Sequence, residues 1–160
     1  MFTNLLATQN ETAERFLPGY QQFHAQNNPQ ALVCRNILIV EYRDEVFARL
    51  AADLMEVGLH VERAVCATDV LRECSNSHAD LLVVNVDLPN NSGWLLTAKL
   101  RLVSPTPRIW LYAPWPSPYE KAMTKFVGAD DLITYRGDIY QLSAEIVSRI
   151  SVSQVMCVVA

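Results

Sequence analysis

Asn85 is the residue whose position in this sequence says most about possible chemistry. It directly follows an apolar run, residues 81–84, and stands four residues before Pro89. Such a run is typical of a strand buried in a parallel sheet, and in an open α/β sheet the functional groups gather at the carboxyl ends of the strands. An amide in place of a carboxylate there removes a nucleophile. The sequence thus places an unreactive side chain at a position suited to reaction.

The segments that must position Asn85 alternate between short apolar runs and amphipathic stretches from residue 36 onward. This pattern is typical of βα units in a parallel sheet that is covered on both faces. Right-handed crossovers between the units favour a doubly wound, five-stranded parallel α/β sheet. The strands are predicted at residues 37–41, 59–64, 81–85, 108–112 and 131–133, each followed by a helix.

Apolar side chains at intervals of three and four predict which face of each helix meets the sheet. Thr68 is expected to cap the second helix, Pro118 and Gly128 to bound the fourth, and Asp138 to cap the last. The predicted core-facing sets are Val46, Leu50, Leu54 and Val57 in the first helix, Leu95, Ala98 and Leu102 in the third, and Ile139, Leu142, Ile146 and Ile150 in the last.

The chain divides into three parts by pattern. Residues 1–35 form an N-terminal extension, in which residues 11–26 permit a helix despite Pro18 and are followed by a linker; a docked helix and a mobile arm are both compatible with it. Residues 36–151 form the α/β domain. Residues 152–160 form an apolar C-terminal tail that extends the last helix, packs onto the body, or begins a truncated segment.

Composition favours a cytoplasmic protein with protein partners. The 160 residues are 51% hydrophobic, and the net charge of −4 comes from interspersed acids and bases. No basic cluster or long apolar stretch predicts contact with nucleic acid or a membrane. Cys74 and His78 fall two ligands short of a structural zinc site, so the four cysteines are expected to be reduced thiols. No metal and no cofactor are expected.

Three features stand in order along the α/β domain: residues 37–40 followed by an acid, the strand and loop 81–89 with Ser92 and Gly93 just after it, and residues 128–131 leading into the last strand. By these features residues 36–150 resemble the receiver domain of response regulators, the phosphoacceptor module of two-component signalling. The resemblance implies a flavodoxin-like, CheY-like fold with strand order 2-1-3-4-5.

The resemblance also implies a set of working side chains, of which this sequence keeps one metal-binding acid, Glu41, and lacks the rest. Receiver phosphorylation uses an aspartate nucleophile, two acids that bind Mg²⁺, a small hydroxyl, a lysine and a switch aromatic. The corresponding positions here are, in that order, Asn85, Glu41 with Tyr42, Tyr112, Tyr135 followed by Arg136, and Leu132. The resemblance therefore implies a degenerate phosphoacceptor site, a pseudo-receiver that is not an enzyme.

Three interpretations of the altered site stay open at the level of sequence. In the first, tyrosine rings fill the vacated pocket and Asn85 hydrogen-bonds to the surrounding loops, so the pocket is inert. In the second, Glu41, Asn85, Tyr112 and Tyr135 bind a small ligand or a cation. In the third, Asp87, two residues beyond the lost nucleophile, accepts phosphate instead.

An inert pocket would leave function to a surface. Trp115 and Tyr119 lie in a segment stiffened by three prolines, and rigid aromatic side chains often anchor interfaces; they are equally compatible with packing over the pocket. The resemblance implies a contact face formed by the fourth helix, fifth strand and fifth helix, with Lys121, Phe126, Tyr140 and Arg149. The function indicated is a phosphorylation-independent interaction module that forms a homodimer or docks on another signalling protein.

Overall fold

The computed structural model describes residues 34–76, 79–89, 91–103, 107–115 and 117–158, without the side chains of residues 74–76 and 152–158. The helix and linker predicted within residues 1–35 lie outside these ranges, and so do residues 159 and 160 of the predicted tail.

Among the described residues, five parallel strands form the sheet, and a pair of two-residue antiparallel strands follows the third of them along the chain. The strand bounds are β1 Asn36–Val40, β2 His60–Ala64, β3 Leu81–Asn85, β4 Asp87–Leu88, β5 Asn91–Ser92, β6 Arg108–Ala113 and β7 Asp131–Thr134. The sheet order is β2-β1-β3-β6-β7, while β4 pairs with β5. The predicted doubly wound parallel sheet is therefore confirmed, and the bounds of all five strands lie within one residue of their predicted positions.

In the part of the chain that the structure describes, five helices cover the sheet, each between the strands that the pattern predicted or after the last one. Their bounds are α1 Asp44–Glu56, α2 Ala67–Asn76, α3 Gly93–Val103, α4 Pro118–Val127 and α5 Ile139–Val158. Because successive strand residues point to opposite faces, the core divides into two clusters. One cluster joins the sheet to α1 and α5, and the other joins it to α2, α3 and α4. Residues 152–158 continue α5 as helix.

The predicted face of α3 is wrong at two of its three positions. Leu95 and Leu102, expected in the core, are 50% and 86% exposed, whereas Leu96 and Leu100 are buried. Ala98, the third, is partly buried and packs against the core. The cause is the start of the helix, where the backbone of Gly93 packs so closely that a Cβ atom would lie 2.2 Å from the carbonyl oxygen of Asn85. This approach fixes the rotation of the helix, and the side chains three and seven residues later then face the sheet.

Capping interactions define the helix ends described below, and two of the predictions made near helix ends need correction. Ser117 and Glu120 form a capping box at the start of α4, and Gly128 ends the helix at a φ of 76°. Two backbone amides of α5 donate to Asp138, as predicted. Thr68, however, lies inside α2, which begins at Ala67. Val57 is 51% exposed because α1 ends one residue before it.

None of the helices described is both long enough and apolar enough to cross a bilayer.

Candidate functional site

The candidate site lies at the carboxyl edge of the sheet. Glu41 directly follows β1, Asn85 ends β3, Tyr112 lies in β6, and Tyr135 directly follows β7. Asn85 is paired with Tyr112 in the register of β3 and β6. Because parallel strands end at the same edge, these four side chains, predicted from separate parts of the sequence, come together.

Glu41 is the centre of the cluster. Its side chain is fully buried, and its Oε2 atom accepts hydrogen bonds from the hydroxyl of Tyr112 at 2.5 Å and from Nδ2 of Asn85 at 3.1 Å. A buried carboxylate is costly unless it is paired and hydrogen-bonded. These two hydrogen bonds therefore offset part of the free-energy cost of burying the charged Glu41 carboxylate. A cation beside the carboxylate is needed to offset the rest.

Arg43 supplies that cation, and sequence reasoning missed it. Its Nη2 atom donates to Oε2 of Glu41 at 2.8 Å, and its Nε atom donates to Oε1 at 3.1 Å. Its backbone amide also donates to Oε1, at 2.9 Å. The planar guanidinium thus meets the carboxylate with two parallel bonds, the arrangement that arginine favours. An arginine two residues after an acid at a strand end was the available signal.

These contacts set the ionisation of the two central groups. Burial opposes the charged form of Glu41, but hydrogen bonds from Arg43 and Tyr112 outweigh it and hold the pKa of Glu41 below its ordinary value. Burial and the neighbouring Glu41 carboxylate raise the pKa of Tyr112 well above its ordinary value. At neutral pH the cluster therefore contains an ionised carboxylate, a neutral phenol and a guanidinium cation.

Asn85 uses both ends of its side chain. Its amide nitrogen donates to Glu41, and its Oδ1 atom accepts from the backbone amide of Asp87 at 2.9 Å. The side chain is 1% exposed. Asp87 itself is exposed on β4. Asn85 thus joins the buried acid to the loop that follows β3, and its donor and acceptor both have partners.

The remaining predicted site residues lie at different distances from this cluster. Tyr135 is buried, its hydroxyl lies 3.5 Å from Nη2 of Arg43, and its ring meets that of Tyr112 edge-on with 6.1 Å between centroids. Tyr42 is 43% exposed, with its ring beside the Arg43 guanidinium. Arg136 is exposed with a φ of 52°. Tyr42 and Arg136 thus face solvent, whereas Glu41, Asn85, Tyr112 and Tyr135 are buried.

Arg63, on β2, holds the loop between β1 and α1 by hydrogen bonds to three of its residues or their neighbours. Its Nε and Nη2 atoms donate to the carbonyl oxygens of Glu41 and Tyr42, each at 3.0 Å. Its Nη1 atom donates to Oδ1 of Asp44 at 2.7 Å. The loop that carries Glu41 and Arg43 is therefore fixed by backbone as well as side-chain contacts.

Three aromatic side chains near α4 are largely exposed. Trp115 is 65%, Tyr119 80% and Phe126 83% exposed. Tyr119, Met123 and Phe126 recur at intervals of four and three, so they lie along one stripe of α4. Lys121 is also exposed but lies two residues from Tyr119, on a different side of the helix. The candidate interface residues of α4 thus divide between an apolar stripe and a basic side.

The candidate interface residues of α5 have partners within the domain. The Arg49 guanidinium of α1 lies 4.2 Å from the ring centroid of Tyr140, although 67% of Tyr140 is exposed. Arg149 forms ion pairs with Asp131 and with Glu145. These two residues take part in contacts that hold α5 to α1 and to β7.

Comparison with known proteins places this arrangement in a fold. No family model matches the sequence. The response regulator protein GraR of Staphylococcus saprophyticus is 29% identical over 98 residues, which are 61% of this chain and 43% of that relative. The chain thus matches less than half the length of this relative.

Two solved structures resemble the backbone of this chain over most of its length. A CheY-like response regulator receiver domain from Methanospirillum hungatei has a TM-score of 0.64 and 21% identity, covering 76% of this chain and 97% of that one. The chemotaxis protein CheY4 of Vibrio cholerae has a TM-score of 0.65 and 20% identity, covering 73% and 98%. The α/β unit therefore has the CheY-like fold that response-regulator receiver domains share.

Proposed function

We propose that this receiver domain acts in two-component-type signalling as a pseudo-receiver, a protein interaction module whose state does not depend on phosphorylation. The observation that carries the proposal is the pairing of Asn85. A phosphoacceptor needs a nucleophilic oxygen open to a donor, but the Asn85 side chain is an amide, is buried, and hydrogen-bonds to Glu41 on one side and to the amide of Asp87 on the other.

The neighbouring groups support the same function. Tyr112, at the place of a small hydroxyl, is fully buried and bonded to Glu41, so its ring occupies space that a phosphoryl group would need. Tyr135, at the place of a lysine, has no positive charge to offer. The Arg43 guanidinium is paired with Glu41. Electrostatic stabilisation of a transferring phosphoryl group requires cations directed at it, and this arrangement directs its cation at a carboxylate.

Two other functions make distinguishable predictions. Asp87 is exposed, so a phosphodonor can reach its carboxylate, and phosphorylation there is the second candidate. A ligand-sensing pocket receives less support, because every buried side-chain nitrogen and oxygen in the described ranges has a hydrogen-bond partner. No unpaired polar group there marks where a ligand would bind.

The proposed site of interaction is the surface around α4. The exposed aromatic side chains of Trp115, Tyr119 and Phe126 can bury a large apolar area against a partner protein, or against a second copy, at a small entropic cost. Tyr140 and Arg149 already pair with residues of the same domain, which makes them weaker candidates.

Treatment with acetyl phosphate and Mg²⁺, followed by intact-mass measurement, tests the proposal. The chain and its Asn85→Asp variant are both expected to show no stable gain of a phosphoryl group, because the variant still lacks the second metal-binding acid, the small hydroxyl and the lysine. A receiver domain with an intact site, treated in parallel, shows that the donor is active. Uptake by the chain that Asp87→Asn abolishes would establish the second candidate. Robust phosphoryl uptake by Asn85→Asp would contradict the proposal that the other positions of the site have also lost their role in phosphorylation.

A further inference from the structure

The receiver fold implies a Mg²⁺ ion beside the acids that follow the first strand, and the residues of this chain do not fit one. Mg²⁺ takes oxygen ligands in a nearly ideal octahedron and is bound by one or two carboxylates. Tyr42 replaces one of the two acids, which leaves Glu41. Among the residues that the structure describes, no group of three acids, histidines or cysteines is placed to hold a metal ion.

The oxygens of Glu41 are already fully engaged. Oε1 accepts from the backbone amide and Nε of Arg43, and Oε2 accepts from Nη2 of Arg43, Nδ2 of Asn85 and the hydroxyl of Tyr112. A carboxylate offers about four lone-pair sites. Five donors therefore compete for the positions from which a metal would have to be coordinated.

We infer that Arg43 is a built-in cation that takes the place of Mg²⁺ in this receiver domain and excludes divalent metal from Glu41. The guanidinium lies on the carboxylate that would be the metal ligand, and its charge neutralises a side chain that is 0% exposed. A guanidinium stays protonated at any pH that the protein experiences, and it cannot dissociate from the chain.

Arg63 reinforces the exclusion. By donating to the carbonyl oxygens of Glu41 and Tyr42, it occupies two backbone oxygens of the same loop that could otherwise serve a hard cation. It also pairs with Asp44, so the next acid along the chain is directed at an arginine as well. The loop between β1 and α1 is therefore held by two guanidinium groups, those of Arg43 and Arg63.

This inference rests on the proposed function and deepens it. A receiver that depends on Mg²⁺ changes the charge of its site when the metal binds. Here the positive charge is covalently attached, so the pocket keeps one charge state whether or not divalent cations are present. The receiver fold is in this view held in a single metal-independent form.

Mn²⁺ binding to the full 160-residue chain, followed by electron paramagnetic resonance and by thermal unfolding, tests the inference. The unaltered chain is expected to bind no Mn²⁺ at millimolar concentration and to show no shift of its unfolding temperature. Arg43→Ala is expected to lower the folding equilibrium constant at least tenfold, because it leaves a buried carboxylate without its cation. Mn²⁺ or Mg²⁺ should then recover part of the loss, and the added substitution Glu41→Gln should abolish that recovery.

Two further variants keep the test decisive. Arg49→Ala removes another arginine that pairs with one carboxylate, Asp53, at 2.9 Å, and it should produce no Mn²⁺ response. Arg43→Lys keeps the charge with a single point of contact. Should Arg43→Ala not fold, Arg43→Lys is expected to show a weak Mn²⁺ response that Glu41→Gln removes.

Either of two results overturns the inference. One is Mn²⁺ binding by the unaltered chain that Glu41→Gln abolishes, and the other is the lack of any Mn²⁺ response in both Arg43 variants. Neither result bears on the mass measurement under phosphodonor. A metal site without phosphoryl uptake would refute this inference alone, whereas uptake at Asp87 in a chain that binds no Mn²⁺ would refute the proposed function alone.

Discussion

The cluster around Glu41 and the apolar stripe of α4 are opposite exceptions to the usual pattern, in which polar side chains are exposed and apolar side chains are buried. In the cluster, a carboxylate and an amide are buried, but each has partners supplied by the same chain. On α4, Tyr119 and Phe126 are apolar and more than three-quarters exposed. Buried polar groups and exposed apolar stripes are the informative exceptions in a folded domain.

The difference lies in where each region finds its partners. The polar groups at the carboxyl edge of the sheet are complete within the domain, so their pairing contributes to folding and leaves little for an incoming ligand. The apolar stripe is incomplete within the domain, so its burial contributes only when another surface covers it. Under the proposed function the first region contributes to stability and the second to recognition, a division that substitutions can test.

Tyr112→Ala is expected to have the largest effect on stability. It removes a fully buried ring and the 2.5 Å hydrogen bond to Glu41, and truncation of a buried aromatic residue costs about 3–5 kcal/mol. Urea unfolding measures the change. Phe126→Ala is the matched control, because truncation of an exposed side chain is expected to change stability by less than about 0.5 kcal/mol. Equal losses in the two variants would remove the contrast between the regions.

The pH dependence of stability should also distinguish the Glu41 cluster from the α4 stripe, by a smaller effect than that of Tyr112→Ala. The pKa of Glu41 is lower in the folded chain than its ordinary value, so its ionisation adds stability that is fully present above the ordinary pKa. This stability is lost as the pH falls through the folded pKa. Stability against urea, measured from neutral pH into acid, should therefore fall more steeply in the unaltered chain than in Glu41→Gln. Parallel pH profiles would show that the Arg43 pair adds nothing to acid sensitivity.

The sequence allowed the sheet and most of the site to be predicted for the same reason. Five apolar runs separated by helical stretches determine a parallel sheet, and parallel strands bring their carboxyl ends to one edge. Glu41, Asn85, Tyr112 and Tyr135 could thus be expected to meet without knowledge of any contact between them.

The features that were not predicted depend on backbone geometry, which the spacing of apolar residues in the sequence does not reveal. Arg43 reaches Glu41 because of the conformation of a short loop, which no apolar pattern reveals. The prediction of which residues of α3 face the core was wrong because the close approach of Gly93 to Asn85 sets the rotation of that helix. In both places local backbone geometry, rather than hydrophobic spacing, decides which side chains meet.

The smallest effect on stability is expected on α4, where the effect on binding should be largest. The double substitution Tyr119→Ala, Phe126→Ala is expected to leave urea unfolding within about 0.5 kcal/mol of the unaltered chain. It should nevertheless weaken self-association in sedimentation velocity, or the recovery of partners in a pull-down from the native cell, and Trp115→Ala should act in the same direction. Tyr140→Ala is the control, because that ring is also exposed but stacks against Arg49 of its own domain. If Tyr140→Ala weakened association as much as the double variant, the interaction surface would extend to α5; if neither did, the exposed stripe would have no part in recognition.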